Sequence, residues 1–565
     1  MDFKKNQEVV VTIDDLGNEG EGIGHLDGYA LFVKDALPGE TVRVKLMKCK
    51  KNYGFAKLLE ILRDIPSADV GRVEPKCPIA RPCGGCTLQH LAYERQLAYK
   101  ERKVYHCLRR IGGVKFGDAV DTRFGVHSGE EDSNHEAELC KKGERPACKK
   151  ESCESQSDVE WLPILGMEAP WHYRNKAQFP VRTQKASDGT SRPVTGFYAG
   201  RTHSVIPVTD CAIQDVSMKP ILEIVLNWMS EQKIPAYDEQ LHSGIVRHIY
   251  IRKGYHTGQI MVCLVINGTK IGHHLTDALL QKLSQIEGMA SVFLNSNTEK
   301  TNVILGNKMS LLWGREYIED RIGDIRYHIS PQSFYQVNPV QTEKLYKTVL
   351  EFADLSGSEI VWDLYCGIGT ISIYLAKHAQ MVYGVEIVQE AVRNAKENAS
   401  LNGVENVKFF CGAAEEIVPR LMAKDSKATE PIFQGDSLFD CGKEVRSEEQ
   451  QVDVIVVDPP RKGCDRVLLD TMVQMAPSRI VYVSCDPATL ARDVKVLGDY
   501  GYVVKKVRAC DMFPQGGHVE TVCVLGNKNR KPDDYLKVNI DVDKIHDILD
   551  KEKAEKEAKE KSQSE

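Results

Sequence analysis

Four side chains able to do chemistry close or follow short apolar runs of the strand type: Asp363 in EIVWD, Glu386 in MVYGVE, Asp458 in VDVIVVD and Cys485 in RIVYVSC. A fifth, Glu520, stands in the hairpin-like stretch FPQGGHVETVCVL. A thiol with a nearby carboxylate is what methylation of a pyrimidine at C5 demands. That carbon is too electron-poor to attack a sulfonium methyl directly. Addition of a thiolate to C6 turns the ring into an enolate that is nucleophilic at C5. Once the methyl is in place, a base must remove the C5 proton before the thiol can leave. Cys485 is the candidate nucleophile, against the alternative of a small apolar filler at a strand tip. Glu520 is the candidate base, against the alternative of a surface strand carboxylate.

The turn DLYCGIGT places Gly367 and Gly369 where the backbone must turn tightly and approach a ligand. Glu386 then ends the next strand, where an acid accepts hydrogen bonds from ribose hydroxyls. Dinucleotide sites use G-x-G-x-x-G here, and the third glycine is missing. With no pyrophosphate to cradle, the turn suits S-adenosylmethionine. DPPRKG, from Asp458, is similar to the D-P-P-aromatic turn of amino-methyltransferases that flip adenine out of the stack, but Arg461 occupies the aromatic place. That argues against adenine N6 as the target.

A third group of reactive side chains is Cys77, Cys83 and Cys86 in CPIARPCGGC. The opening MDFKKNQEVV does not read as a signal peptide, and no segment is long and apolar enough to span a bilayer. The expectation is a soluble cytoplasmic protein, in which clustered cysteines are ligands or catalysts rather than disulfides.

The elements that must position these groups follow from period and length. A chain of 565 residues implies two to four domains. Residues 8–62 alternate β-branched runs with Gly-rich turns, as a small closed barrel of OB type does. From 171 to 330 the chain is β-rich, with helices expected near 218–231 and 274–287. From about 358, buried strands alternate with helices, the pattern of a doubly wound parallel sheet. Residues 127–158 lack aromatic residues and periodicity and read as a disordered insertion, in which Cys140, Cys148 and Cys153 are surface thiols. Residues 424–451 read as a second inserted loop and 529–565 as a charged tail. The net charge of -6 hides a basic run from Lys76 to Lys115, with nine Lys or Arg against Glu94 and Glu101. Such a run is a phosphate-binding patch or a solvated helix face.

Taken together, QSFYQVNPVQTEKLY, DLYCGIGTISIYLA, VDVIVVDPPRKG, VSCDPATLARD and FPQGGHVETV resemble the RNA uracil-C5 methyltransferases of the RumA/RlmD-like 23S rRNA type, over residues 5–528 apart from the two insertions. The resemblance implies an α/β fold: a Rossmann-like S-adenosylmethionine-dependent methyltransferase domain at 330–528. Ahead of it would lie an OB-type TRAM barrel at 1–62 and a central α+β domain at 63–329. It makes Cys485 the nucleophile and Glu520 the base. It places Gln336, Tyr365, Glu386 and Asp458 on the cofactor and Phe334 near the target base. Thr370 stands where some members have Asn. Cys77, Cys83 and Cys86 with Cys211 in VTDCAIQ match a pattern that in the family holds a four-iron, four-sulfur (4Fe-4S) cluster, although four thiolates by themselves also suit zinc.

The expected substrate is 23S rRNA, bound by a monomer. The runner-up is tRNA, set second because T-loop enzymes are expected to lack both the barrel and the cysteines. A non-catalytic RNA-binding or iron–sulfur protein is opposed by intact Cys485, Glu520 and Asp458. A cytosine-C5 enzyme is opposed by the context Ser484-Cys485-Asp486.

Overall fold

The computed structural model describes residues 3–63, 71–125, 159–185, 189–200, 202–422 and 452–529. The insertions expected at 127–158, with their three cysteines, and at 424–451 lie outside the described residues, as does the tail from residue 530.

Five strands, Glu8–Leu16, Gly22–Leu26, Tyr29–Lys34, Thr41–Cys49 and Tyr53–Arg63, close into a barrel in which the fifth lies between the third and the fourth. Alternate residues fill it, with Leu31, Val33, Val42, Val44 and Leu46 fully buried. Gly24 is required where the strands cross, because a Cβ there would sit 2.3 Å from the Thr12 carbonyl oxygen.

The middle of the chain forms a seven-stranded mixed sheet built on Lys176–Lys185, Val246–Lys253, Ile260–Ile266 and Met289–Ser296, flanked by Ser191–Tyr198, Val205–Pro207 and Lys308–Gly314. Helices Met218–Glu231 and His273–Leu283 cover one face. The other face carries Tyr250, Met261, Cys263 and Phe293 into the core of the C-terminal sheet. Covered on both faces, IMVCLVI is buried at every residue, which is why it reads as a continuous apolar run.

The C-terminal sheet has eight strands in the spatial order Val407–Cys411, Met381–Glu386, Ile360–Leu364, Val454–Val457, Arg479–Ser484, Glu520–Asn527, Tyr502–Cys510 and Glu160–Leu165. The first five are parallel. Glu520–Asn527 runs antiparallel to both of its neighbours. Strand order reverses between Ile360–Leu364 and Val454–Val457, and ligand crevices of doubly wound sheets form at that kind of switch.

The eighth strand cuts across the expected boundary of the central domain at 63–329. Glu160–Leu165 hydrogen-bonds in parallel to Tyr502–Cys510. Trp161 packs with Tyr105, Leu108 and Phe116 in the core under the C-terminal sheet. Helix Tyr93–Arg110 therefore lies on the C-terminal sheet. The basic run is correspondingly not all a phosphate patch. Lys100 is fully buried, its Nζ 2.5 Å from Asp511 Oδ1 and 3.0 Å from the Phe513 carbonyl. Lys103 donates to the carbonyls of Asn18 and Gly517, and Arg109 pairs with Asp121 at 2.7 Å.

Removing one partner of a fully buried pair leaves the other charged and uncompensated, at a cost of about 3–5 kcal/mol. Lys100→Met is therefore expected to lower the urea-unfolding free energy by about that amount, and Lys100→Met with Asp511→Leu to restore most of it. Equal losses in the single and double variants would contradict this account of the pair.

Candidate active site

The turn after strand Ile360–Leu364 is strained and tightly tied. Tyr365 has φ 127°, a conformation that costs a non-glycine residue about 1–3 kcal/mol. It is held there because its N–H and that of Cys366 both donate to the Val385 carbonyl at 3.0 Å. Gly369 (φ 81°) has the Phe409 ring 2.9 Å from where a Cβ would be, so no other residue fits. Gly367 (φ 56°) is the opposite case, with open space on its Cβ side. The Glu386 carboxylate closes this space from the next strand, accepting from Gly367 N at 3.1 Å and Val388 N at 2.9 Å. Beneath it Asp363 is buried; one carboxylate oxygen accepts from Ser372 Oγ at 2.6 Å and the other, Oδ1, has no partner. An open cradle with an unpaired buried acceptor and an acid at its rim fits a ligand with an ammonium group and a ribose, as S-adenosylmethionine has.

Gln336 and Phe334 approach from a different direction. They lie in the segment 330–338, capped by Asn338, which accepts from Gln341 N to start helix Pro339–Ala353. The segment is gripped by buried Arg252 of the central sheet, which donates to the carbonyls of Ser330 at 3.1 Å and Ser333 at 2.8 Å. Asn175 adds two bonds, its N–H to Val337 O and its side chain to Gln336 O. Both lie in the irregular segment between strand Ile325–Ile329 and the helix, where no periodicity marks them, so in the sequence only the family resemblance singled them out. Gln336 is buried, whereas Phe334 leaves 66% of its surface exposed, a large apolar ring without a packing role.

Cys485 sits between the end of strand Arg479–Ser484 and Asp486, which caps helix Pro487–Asp499 through Ala488 N and Thr489 N. The Asp-Pro after the cysteine is thus a helix start. Ser484 pairs with Thr521 across the antiparallel neighbour, so Cys485 comes opposite Glu520 one step further on. Asp458 follows the parallel strand on the other side. Burial, with Glu520 and Asp458 adding to it and Arg461 opposing them, pushes the Cys485 thiol up to about 11. Burial likewise raises Asp363, to about 7. Asp458 and Glu520 are raised by burial and by nearby acids, with Asp458 acting on Glu520. The arrangement is a thiol whose protonated form burial favours, a poorly solvated carboxyl opposite it and a second carboxyl beside them. Arg461, whose guanidinium lies 3.4 Å from His518 Nε2, is the cation that this group feels.

Cys77, Cys83, Cys86 and Cys211 form no disulfide and come together. Burial, with Cys211, Cys83 and Cys77 adding to it, pushes the Cys86 thiol up to about 12. The loop carrying Cys83 is docked on the central sheet through Gly84 N to Tyr198 O and Gly200 N to Pro82 O. Among the described residues no three Cys, His, Asp or Glu side chains converge closely enough to hold a single metal ion. The donor set is four thiols on two segments around one locality.

Residues 257–528 match the tRNA (Uracil-5-)-methyltransferase family and residues 2–59 the TRAM domain. An uncharacterized RNA methyltransferase of Halalkalibacterium halodurans is 43% identical over 93% of this chain and 98% of its own length. One of Clostridium tetani is 42% identical over 92% and 97%. Among solved structures, the Pyrococcus abyssi tRNA (uracil-54, C5)-methyltransferase in complex with S-adenosyl-L-homocysteine is similar, with a TM-score of 0.63 and 25% identity, over 91% of this chain and 99% of that one.

Because Asp363, Asp458 and Glu520 are all raised in the folded state, their contribution to stability is complete below the ordinary carboxyl range and is lost as pH rises through their folded values, about 7 for Asp363. The unfolding free energy of the ligand-free protein is expected to fall with rising pH across this window. Asp458→Asn with Glu520→Gln should flatten the decline. An unchanged slope would mean that both groups are already charged in the fold.

Proposed function

The chain belongs to the RNA uracil-5-methyltransferase family and carries a TRAM domain ahead of its catalytic region, and on that premise we propose that it methylates C5 of uridine in 23S rRNA through a covalent Cys485 adduct. The observation that carries this reading is the placement of Cys485 opposite Glu520 at the tips of adjacent strands, beside the cradle of Gly367 and Glu386.

The residues divide the work by position. Asp363 Oδ1, the open side of Gly367 and the Glu386 carboxylate would hold S-adenosylmethionine, with Gln336, Tyr365 and Asp458 completing the pocket. When bound, S-adenosylmethionine supplies an electrophilic methyl group. The Cys485 sulfur, once deprotonated, bonds to C6 and drives electrons to C5. Glu520 then takes the C5 proton, the ring regains its double bond and the sulfur leaves. A carboxyl raised by burial is a stronger base once ionised than one in water, which suits a carbon acid. Exposed Phe334 is placed to meet a base unstacked from its loop.

Cys77, Cys83, Cys86 and Cys211 would hold a 4Fe-4S cluster with a structural role. This is supported by where the segment leads: Thr87 N and Leu88 N both donate to Gln515 O, and Tyr173, packed against Cys86, donates to Pro514 O at 3.0 Å. Those carbonyls belong to the loop that precedes Glu520.

The second reading, tRNA, has a specific observation in its favour. The archaeal tRNA (uracil-54, C5)-methyltransferase is similar over 91% of this chain. That likeness supports tRNA as the second substrate reading beside 23S rRNA.

Anaerobically purified protein is to be incubated with methyl-labelled S-adenosylmethionine and unmodified 23S rRNA or tRNA, followed by digestion to nucleosides. Label in 5-methyluridine from 23S rRNA, absent with Cys485→Ala, is the expected result. Glu520→Gln should slow turnover by about 10²–10⁴-fold and leave a protein–RNA adduct that survives denaturing electrophoresis. Label from tRNA alone would move the substrate to the second reading, and a Glu520→Gln enzyme that releases product at the wild-type rate would remove Glu520 as base.

A further inference from the structure

The turn that carries Arg461 is held by side chains of the two elements that flank Cys485. It follows Asp458 and runs from Pro460 to Cys464, with Gly463 N donating to the Pro460 carbonyl at 2.8 Å. Asp493, fully buried on helix Pro487–Asp499, receives this turn: one carboxylate oxygen accepts from Cys464 N at 2.8 Å and from the Tyr482 hydroxyl at 2.6 Å. Its other oxygen accepts from Arg492 Nε at 2.8 Å. The Arg492 guanidinium reaches on to the carbonyls of Lys462 at 3.0 Å and Cys464 at 3.1 Å. Gly463 (φ 76°) is pressed onto the pair, since a Cβ there would sit 2.5 Å from Arg492 Nη2 and 2.7 Å from Asp493 Oδ2. The turn also borders a cavity of about 450 Å³, lined with it by Arg466, Leu469 and Val496, so on that side hydrogen bonds rather than packing hold it.

Tyr482 belongs to strand Arg479–Ser484, which leads into Cys485, and Arg492 and Asp493 belong to the helix that begins just after it. The clamp therefore ties the turn to the same two elements that fix the thiol. Arg461 leaves the turn toward the loop before Glu520, its Nη2 3.4 Å from His518 Nε2. A guanidinium only donates, so the imidazole nitrogen accepts. Glu520 and Asp458 disfavour the thiolate form of Cys485, and Arg461 favours it. Arg461 favours the charged form of Glu520 as well. Such an attraction weakens with separation, so the placement of the turn sets how much of it reaches the sulfur.

We propose that Arg492 and Asp493 are positioning residues, which hold the turn Pro460–Cys464 so that the Arg461 guanidinium faces Cys485 and Glu520. Neither touches a reacting group, and both act through the backbone of the turn. The demand falls on the shape of Arg492 rather than on its charge. Its planar fork serves the Asp493 carboxylate and two carbonyls together, which a lysine ammonium on a flexible stem does not reproduce. The catalytic consequence rests on the reading of Cys485 as nucleophile, whereas the effect on the thiol does not.

The test uses the full-length, ligand-free protein and the rate at which iodoacetamide, an uncharged reagent, alkylates Cys485 at fixed mildly alkaline pH, read by mass spectrometry of the Cys485 peptide. Arg461→Gln is expected to lower that rate by about tenfold, the loss of thiolate that one pH unit in the thiol's midpoint brings. Arg492→Lys, which keeps the charge, is expected to lower it severalfold and to add nothing when combined with Arg461→Gln. Tyr482→Phe removes only one hydroxyl from the clamp and should give a smaller loss of the same sign, which keeps the test decisive where Arg492→Lys does not fold. A loosened fold alone would expose the thiol and raise the rate. A rate raised or unchanged in Arg492→Lys and Tyr482→Phe, a loss that adds in full to that of Arg461→Gln, or an Arg461→Gln rate equal to the wild type's would each overturn the proposal. In methylation of RNA, Arg492→Lys should lower kcat by up to about tenfold and leave KM for S-adenosylmethionine unchanged. If alkylation slows as expected while Cys485→Ala still methylates RNA, the clamp stands and the nucleophile reading falls.

Discussion

One antiparallel strand decides the chemistry that this fold can perform. In a parallel sheet, the residues at the C-terminal ends of the strands share one edge, and those at the N-terminal ends lie on the opposite edge about a strand length away. Cys485 follows the C-terminal end of its strand, and Glu520 is the first residue of its own. They meet only because Glu520–Asn527 runs against Arg479–Ser484. The reversal brings the start of one strand to the edge where the others end, which is also where the turn of Gly367, the Glu386 carboxylate and Asp458 are found. Were this strand parallel, the carboxylate would lie on the far edge and the thiol would have no carboxylate opposite it.

That geometry places a burden on the loop 511–519, which must turn the chain back and deliver Glu520 at the right height. Met512 and Val519 anchor the loop in the core, and between them it is held by polar contacts from outside. Lys100 takes Asp511 and the Phe513 carbonyl, Tyr93 adds a hydrogen bond to Asp511 at 2.9 Å, and Gln96 exchanges hydrogen bonds with Gln515. All three come from helix Tyr93–Arg110, more than 400 residues earlier in the chain. A buried ion pair contributes little net stability but penalises any arrangement in which its partners are separated. Here it fixes the loop, and through Leu88 and Gly17 the cysteine segment and the barrel are fixed to the same frame. The N-terminal half is therefore part of the catalytic scaffold.

The parts of this that were legible in the sequence are those written in short-range pattern. Buried strands announce themselves as apolar runs, and their tips can be counted, so Asp363, Glu386, Asp458 and Cys485 were placed within one residue of a strand end. The barrel was legible from alternation and glycine spacing. Long-range pairing was not. Glu160–Leu165 is six residues long, stands alone after the 127–158 stretch and alternates weakly, so nothing local marks it as the edge of a sheet whose other strands begin some 200 residues later. Lys100 and Lys103 read as members of a basic patch because charge in a helix is ordinarily solvated. Only the position of Asp511 and of the loop carbonyls shows that they point inward. Arg252 was hidden for the same reason, an arginine in an alternating strand that turns out to be 2% exposed.

The electrostatics of the pocket follow from placing so many ionisable groups in so little water. Burial holds the Cys485 thiol near 11 and the surrounding carboxyls above their ordinary range. Burial thus favours the thiol over the thiolate, the form that alkylation and oxidation require. Charge can appear only if something compensates it. Arg461 is the cation that opposes both the thiol and Glu520, but it is exposed and screened while solvent has access. A base and ribose packed over Phe334 would exclude that solvent, strengthen the attraction of Arg461 for a developing thiolate and supply hydrogen-bond partners to the carboxyls. On the proposed reading of Cys485 as nucleophile, its activation would then depend on a filled pocket.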